Sequence, residues 1–391
     1  MLPEFFQFHN PTKIVYGPGI VSDLSSECET LAAEKYLIIS DRSLSDIGLV
    51  DRVHAALESA GILITHTFLD VPQDSDVHTV TAAAEAARQS GADGLIALGG
   101  GSVIDTAKAA NILFSEGGDL VDDHSGAGTL TRPLKPLIAI PTTAGTGSEC
   151  TRIAVIYDSE SKTKLSFSDQ YLLPSLAVLD PEITRSLPAG LTASTGMDAL
   201  SHAVESMVDI DQSPVTDALA LGAIRLIFRN ITAAVTDGGN VDARGGMLVA
   251  ANLAGIAFSH SMVGCVHSLS HTIGGMYRVP HGVANAILLP VGMEYNFEEG
   301  MEKFALMLPA MGGDGHGLST EEKARAAIDA VRTLTRRLNE LGALPLRLRD
   351  VGVPEDGLKD ISAAALDEGS SIYNPRELIP DELFECLKKV Y

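Results

Sequence analysis

A chain of 391 residues, 45% hydrophobic and 20% charged, exceeds what one hydrophobic core usually organises and carries no compositionally disordered block, so two folded domains are expected. Its 28 Lys and Arg stand against 51 Asp and Glu, and a net charge of −23 repels phosphate backbones and anionic lipid, which argues against nucleic acid and membrane partners. The opening MLPEFFQFHNPTKIVYG lacks a basic region followed by an apolar core, and no stretch is expected to approach the ~20 apolar residues of a membrane span; a cytoplasmic protein is the expectation. The cysteines Cys28, Cys150, Cys265 and Cys386 form no CxxC pair and read as reduced thiols, with Cys265 a small core residue rather than a ligand.

Taken in chain order, short apolar runs at 36–40, 62–69, 94–98, 137–140 and 176–179 predict strands, and the segments 44–60, 75–90 and 102–114 show helical spacing between them. This alternation predicts stacked βαβ units: a parallel sheet covered on both faces, of the nucleotide-binding α/β type. After Asp180-Pro181 the segments 190–209, 214–235, 241–259 and 319–341 read as helices, and SLPAGLT supplies a break near residue 187. The expected domains are therefore 1–187, α/β, and 188–391, helical.

Gly99-Gly100-Gly101-Ser102 lies between a buried strand and a helix, where backbone N–H groups and the helix dipole can hold a pyrophosphate; a tight βα turn fits the same residues. The run Pro141–Glu149, PTTAGTGSE, follows the next strand and offers hydroxyls at a carboxyl strand end, where ligands of open α/β sheets bind, though it also fits a helix-capping loop. Asp41 after the strand at 36–40 suits a ribose and disfavours a 2′-phosphate, pointing to NAD over NADP, or it caps the helix that begins near Ser43.

Asp198 and His202 are four apart on a predicted helix, so both side chains leave one face. His267 and His271 repeat that spacing, and His281 follows a Gly-Gly break and Pro280, so three of the eleven histidines fall within fifteen residues. Each alone fits a local hydrogen bond or a core histidine; together they suggest metal or acid–base chemistry. A carboxylate with imidazoles and no thiolate suits Fe(II) or Zn(II) rather than Mg or Ca, and iron accepts the further substrate oxygen more readily.

With FHNPTKIVYGPG, GGGSVIDTAK, IPTTAGTGSE, GMDALSHAVE, PHGVANAILLP and NPRE at 374–377, the chain resembles the iron-containing, or group III, alcohol dehydrogenases nearly end to end. The resemblance implies a dehydroquinate synthase-like fold, an NAD-binding α/β domain, an all-α metal-binding domain, oxidoreduction of small primary alcohols or diols, and a homodimer. It implies Asp198, His202, His267 and His281 as ligands and leaves His271 beside the nicotinamide to help move the alcohol proton. It assigns Gly100, Gly101 and Ser102 to the diphosphate, Thr142, Thr143 and Thr146 to the second nucleotide loop, Asp41 to the ribose and Lys164 to the nicotinamide ribose. Gln73 stands where the family often has Asn. Ile153, Phe258 and Ser370 are expected near the substrate, with Arg152 pointing to the opposite face of its strand.

Two other enzymes share such a scaffold. A phosphate-ester lyase of the dehydroquinate synthase kind needs a cationic clamp, and no lysine lies between Leu165 and Glu302. A glycerol-dehydrogenase-like zinc enzyme uses fewer histidines. A non-catalytic nucleotide- and metal-binding scaffold is disfavoured by candidates at every ligand position.

Overall fold

The computed structural model describes residues 3–391. The chain divides into two compact units: one comprises His9–Thr143 and Gly147–Ser186, the other Leu187–Tyr391 with Ala144–Thr146 and the described start of the chain up to Phe8.

The first unit is built on six parallel strands in the order Lys13–Tyr16, Leu176–Leu179, Leu137–Pro141, Gly94–Gly99, Lys35–Ile39 and Leu63–Phe68. Every residue of Gly94–Gly99 is buried, which is why it reads as an unbroken apolar run. Its side chains alternate between two cores: Leu95 and Ala97 pack with Val80, Ala83 and Ile104, whereas Ile96 and Leu98 pack with Val53, Leu57 and Ile138. Helices Val77–Gln89 and Gly101–Glu116 thus cover one face, and Leu49–Ser59 the other.

Three details differ from the sequence expectation. The first strand, Lys13–Tyr16, is four residues long and mostly exposed at the sheet edge, and its apolar run, IVY, is too short to stand out. The strand expected at Ile153 runs Ile153–Asp158 and pairs antiparallel with Thr163–Ser168 in a second, three-stranded sheet; the partner, TKLSFS, is mostly polar and is not among the expected strands. The helix expected over 44–60 is two, Arg42–Asp46 and Leu49–Ser59, parted at Gly48 with φ 73°.

The second unit is helical. Ala189–Val208, Pro214–Thr236 and Val241–Ser261 pack on one another through Ala203, Ala220, Ala223, Ile224, Ile227, Met247 and Ala251. Contrary to expectation, Pro214–Thr236 is long and apolar enough to cross a membrane by length and composition, with mean hydropathy 1.5. Its apolar character has a packing cause: Ala220, Ala223 and Ala234 allow close approach while Ile224, Ile227 and Ile231 fill the core. The Gly274-Gly275 pair does not break the chain either. Both lie inside the helix Cys265–Tyr277, which ends instead at Arg278 with φ 60°.

Candidate metal centre and cofactor loops

Three helices of the second unit bring the site together. Ala189–Val208 presents Asp198 and His202, Cys265–Tyr277 presents His267 and His271, and His281 is the first residue of His281–Tyr295, directly after Pro280. Close approach of the first and last depends on Gly282: a Cβ there would lie 2.4 Å from the backbone oxygen of Ser194, leaving no room for a side chain.

One ligand-type atom from each of Asp198, His202, His267 and His281 lies within 4.8 Å of the others. Asp198 Oδ1 stands 4.0 Å from His202 Nε2, 3.9 Å from His267 Nε2 and 3.3 Å from His281 Nε2, so it is the hub. Asp198, His202 and His267 are buried; His281 is part exposed and opens the group on one side. Asn285, one turn after His281, aims its amide nitrogen into the cluster, 2.6 Å from Asp198 Oδ1, 3.2 Å from His267 Nε2 and 3.1 Å from His281 Nε2, while its buried Oδ1 has no hydrogen-bond partner.

The electrostatics match a cation site. Burial would raise Asp198, yet the imidazoles of His202, His281 and His267 hold it well below the usual carboxylate range. Burial pushes His202 down to about 4, against the pull of Asp198. Burial, then His202 and His281, hold His267 well below the ordinary imidazole value. Near neutral pH Asp198 is therefore a carboxylate and the His202 and His267 rings are neutral, with lone pairs to give, which is the state a divalent ion requires. The residues present fit the ion.

Behind the ligands stands Glu205, also on Ala189–Val208. Its Oε2 faces His267 Nδ1 and its Oε1 accepts from Val266 N at 2.7 Å. Burial raises the Glu205 carboxyl, and the N–H groups of Val266, Gly264 and His267 oppose it by favouring the carboxylate. One turn on, Asp209 is fully buried with neither oxygen hydrogen-bonded, and burial together with Glu205 raises it well above a normal Asp. Sequence reasoning missed Glu205 and Asn285, although the spacings 198/202/205 and 281/285 carried the signal.

His271 does not join the cluster. Its ring stacks on His281 at 5.1 Å, and its Nδ1 is 3.3 Å from Glu368 Oε2, both groups over a third exposed. Phe258 stacks on His202 at 4.1 Å between centroids, 17° from parallel, and Ser370 is buried against Ser268, 2.8 Å between hydroxyls. These two expected pocket residues therefore border the cluster, Ser370 through the His267 helix.

In the first unit, Gly100 precedes the helix Gly101–Glu116 as its N-terminal flank with no side-chain cap, leaving its first N–H groups unclaimed by one. Thr143 meets Gly100: a Cβ on Gly100 would lie 3.3 Å from its Cγ2, and Thr142 N donates to Gly99 O at 3.0 Å. Ser102 Oγ accepts from Asp74 N at 3.3 Å and Lys164 Nζ pairs with Asp74 Oδ1 at 2.9 Å, so the loop holding exposed Gln73 joins Ser102 and Lys164. Asp41 caps the helix Arg42–Asp46, its Oδ1 accepting from Leu44 N at 2.9 Å. Thr146 groups with the helical unit and Ile153 opens the antiparallel strand of the first. Arg152 lies just before that strand, not on it.

The chain combines a parallel α/β unit with a helical unit that bears a carboxylate–imidazole cluster, and comparison with known proteins gives this architecture its family. Residues 11–181 match the model of the iron-containing alcohol dehydrogenases and residues 192–391 match the C-terminal model of the same family. The chain is 39% identical over 390 residues to 1,3-propanediol dehydrogenase of Citrobacter freundii, covering 99% of both chains. It is 36% identical to the NAD-dependent methanol dehydrogenase of Bacillus methanolicus, covering 97% of this chain and 98% of that one. A crystal structure of 1,3-propanediol oxidoreductase superimposes with a TM-score of 0.94 at 38% identity, covering 99% of this chain and 100% of the other. The chain belongs to the iron-containing alcohol dehydrogenase family, and is an oxidoreductase acting on alcohols and aldehydes.

Proposed function

We propose that the chain interconverts small primary alcohols or diols and their aldehydes with NAD as hydride carrier, and that Asp198, His202, His267 and His281 hold the divalent ion, iron ahead of zinc. The observation that carries this reading is the buried convergence of one carboxylate and three imidazoles. Asp198 has no Lys or Arg ion-pair partner among the described residues, so its charge is left for a cation. When bound, such an ion supplies Lewis-acid charge that favours the alkoxide form of an alcohol near neutral pH.

The chain's own residues do the rest. His271 takes the alcohol proton and, paired with Glu368, passes it to solvent. Phe258 and Ser370 line the substrate side, Phe258 also fixing the His202 ring, and Ile153 is assigned to the substrate on the resemblance. Gly100, Gly101 and Ser102 give the diphosphate a backbone cradle at a helix N-terminus; Thr142, Thr143 and Thr146 supply hydroxyls beside it. Asp41 spends one oxygen on its helix and offers the other to a ribose, which favours NAD over NADP; Gln73 and Lys164 flank the ribose sites. A domain boundary near residue 187 rests on the change from strand-rich to helix-rich sequence, a cytoplasmic location on composition and charge, and a homodimer on the resemblance.

The test is spectrophotometric NAD reduction against a panel of short alcohols and diols, beside metal analysis. Turnover that vanishes with the metal is expected. A bound metal with no hydride transfer to any of them would favour a non-catalytic scaffold.

A further inference from the structure

We propose that Glu205 is a positioning residue for the metal centre: it receives the Nδ1 proton of His267 and thereby holds that ring as the tautomer whose Nε2 lone pair faces Asp198. The inference rests on the metal reading given above and extends it to a residue outside the ligand set.

Glu205 serves the start of the helix Cys265–Tyr277 and, within it, His267. Its side chain is 3% exposed and sits among helices with no Lys or Arg ion-pair partner among the described residues. Oε2 is spent on His267 Nδ1 and Oε1 on Val266 N, two neighbouring points on one turn of the helix Cys265–Tyr277. An imidazole can give its lone pair from only one nitrogen when the other carries the proton. His267 Nε2 is the nitrogen turned to the cluster, 3.9 Å from Asp198 Oδ1, so the proton belongs on Nδ1, where Glu205 accepts it.

The position also explains the spacing on Ala189–Val208. Asp198, His202 and Glu205 are successive contacts of one helix face, so a single rigid helix sets two ligands directly and a third through its carboxylate. Gly264 makes the approach feasible: a Cβ there would stand 2.8 Å from Asp209 Oδ1 and 3.4 Å from Glu205 Oε1.

The experiment uses the full chain, stripped of metal by chelator and titrated anaerobically with Fe(II), Zn(II) and Co(II) alone. Glu205→Gln keeps the shape but can donate to Nδ1, which turns the Nε2 lone pair into an N–H; ion affinity is expected to fall about 10- to 100-fold. The Co(II) absorption spectrum is expected to shift, while NADH binding, followed by the fluorescence of the reduced nicotinamide, stays at the wild-type value. Glu205→Asp, which keeps the charge one methylene further back, is expected to recover part of the affinity, and it carries the same readout should the Gln variant fail to fold. Wild-type affinity and an unchanged cobalt spectrum in the folded variant overturn the role of Glu205 alone. Wild-type protein that takes up none of the three ions overturns the metal reading, and this inference with it.

Discussion

His267 and His271 sit one helical turn apart with the same side chain and different surroundings. The first is buried among Asp198, His202 and Glu205; the second faces Glu368 and is over a third exposed. His267→Ala is expected to lose metal and turnover together, whereas His271→Ala is expected to keep the metal and lose about 10²- to 10⁴-fold in kcat, as for loss of a general acid–base group. Metal analysis on both variants decides it; metal-free His271→Ala protein contradicts the division.

Asp209 gives a prediction about stability. Its folded-state carboxyl is raised by burial and by Glu205, so above the ordinary Asp range the unfolded chain releases a proton that the native chain retains. That linkage erodes stability as pH rises from the unfolded pKa toward the folded one. Asp209→Asn removes it, and the gain in Tm over wild type is expected to be larger at pH 8 than at pH 5. Equal gains at both pH values would contradict a protonated, buried Asp209.

At the scale of elements, the site depends on how closely two helices pass. Gly282 lets His281–Tyr295 approach Ala189–Val208 against the Ser194 carbonyl. Gly282→Ala is expected to cost about 1–3 kcal/mol by overpacking and to weaken ion binding with it, read by urea unfolding of metal-free protein and by metal titration. Unaltered values for both would mean that the approach is not needed.

Elements with a single strong period were the legible ones. The buried strands Lys35–Ile39, Gly94–Gly99, Leu137–Pro141 and Leu176–Leu179 announce themselves as apolar runs, and Val241–Ser261 by its length. The edge strand Lys13–Tyr16 offers only three apolar residues and Thr163–Ser168 is mostly polar, so neither stands out, whereas Ile153–Asp158 carries the apolar run IAVIY. The site divides in the same way. Spacing pairs Asp198 with His202, but it equally pairs His267 with His271; only the turn at Arg278–Pro280 brings His281 rather than His271 into the cluster. Glu205 and Asn285 look like ordinary helix residues until the helices are packed.

For the whole molecule, the net charge of −23 has a practical corollary. Association with a neutral alcohol should be nearly independent of salt, while binding of the anionic dinucleotide should be weaker at low ionic strength and improve as salt screens the repulsion. A KM for NAD that rises with added salt would indicate that local cationic groups such as Lys164 outweigh the global field.

The central claim is that one buried carboxylate–imidazole cluster holds the ion on which alcohol oxidation depends. Its most direct test is anaerobic measurement of metal content against NAD-reducing activity after stepwise reconstitution of metal-free protein with Fe(II) or Zn(II). Activity is expected to rise in proportion to occupancy and to saturate at one ion per chain, with iron the more active. Full activity in protein free of metal, or full occupancy of wild-type protein by either ion without activity on any alcohol of the panel, would contradict it.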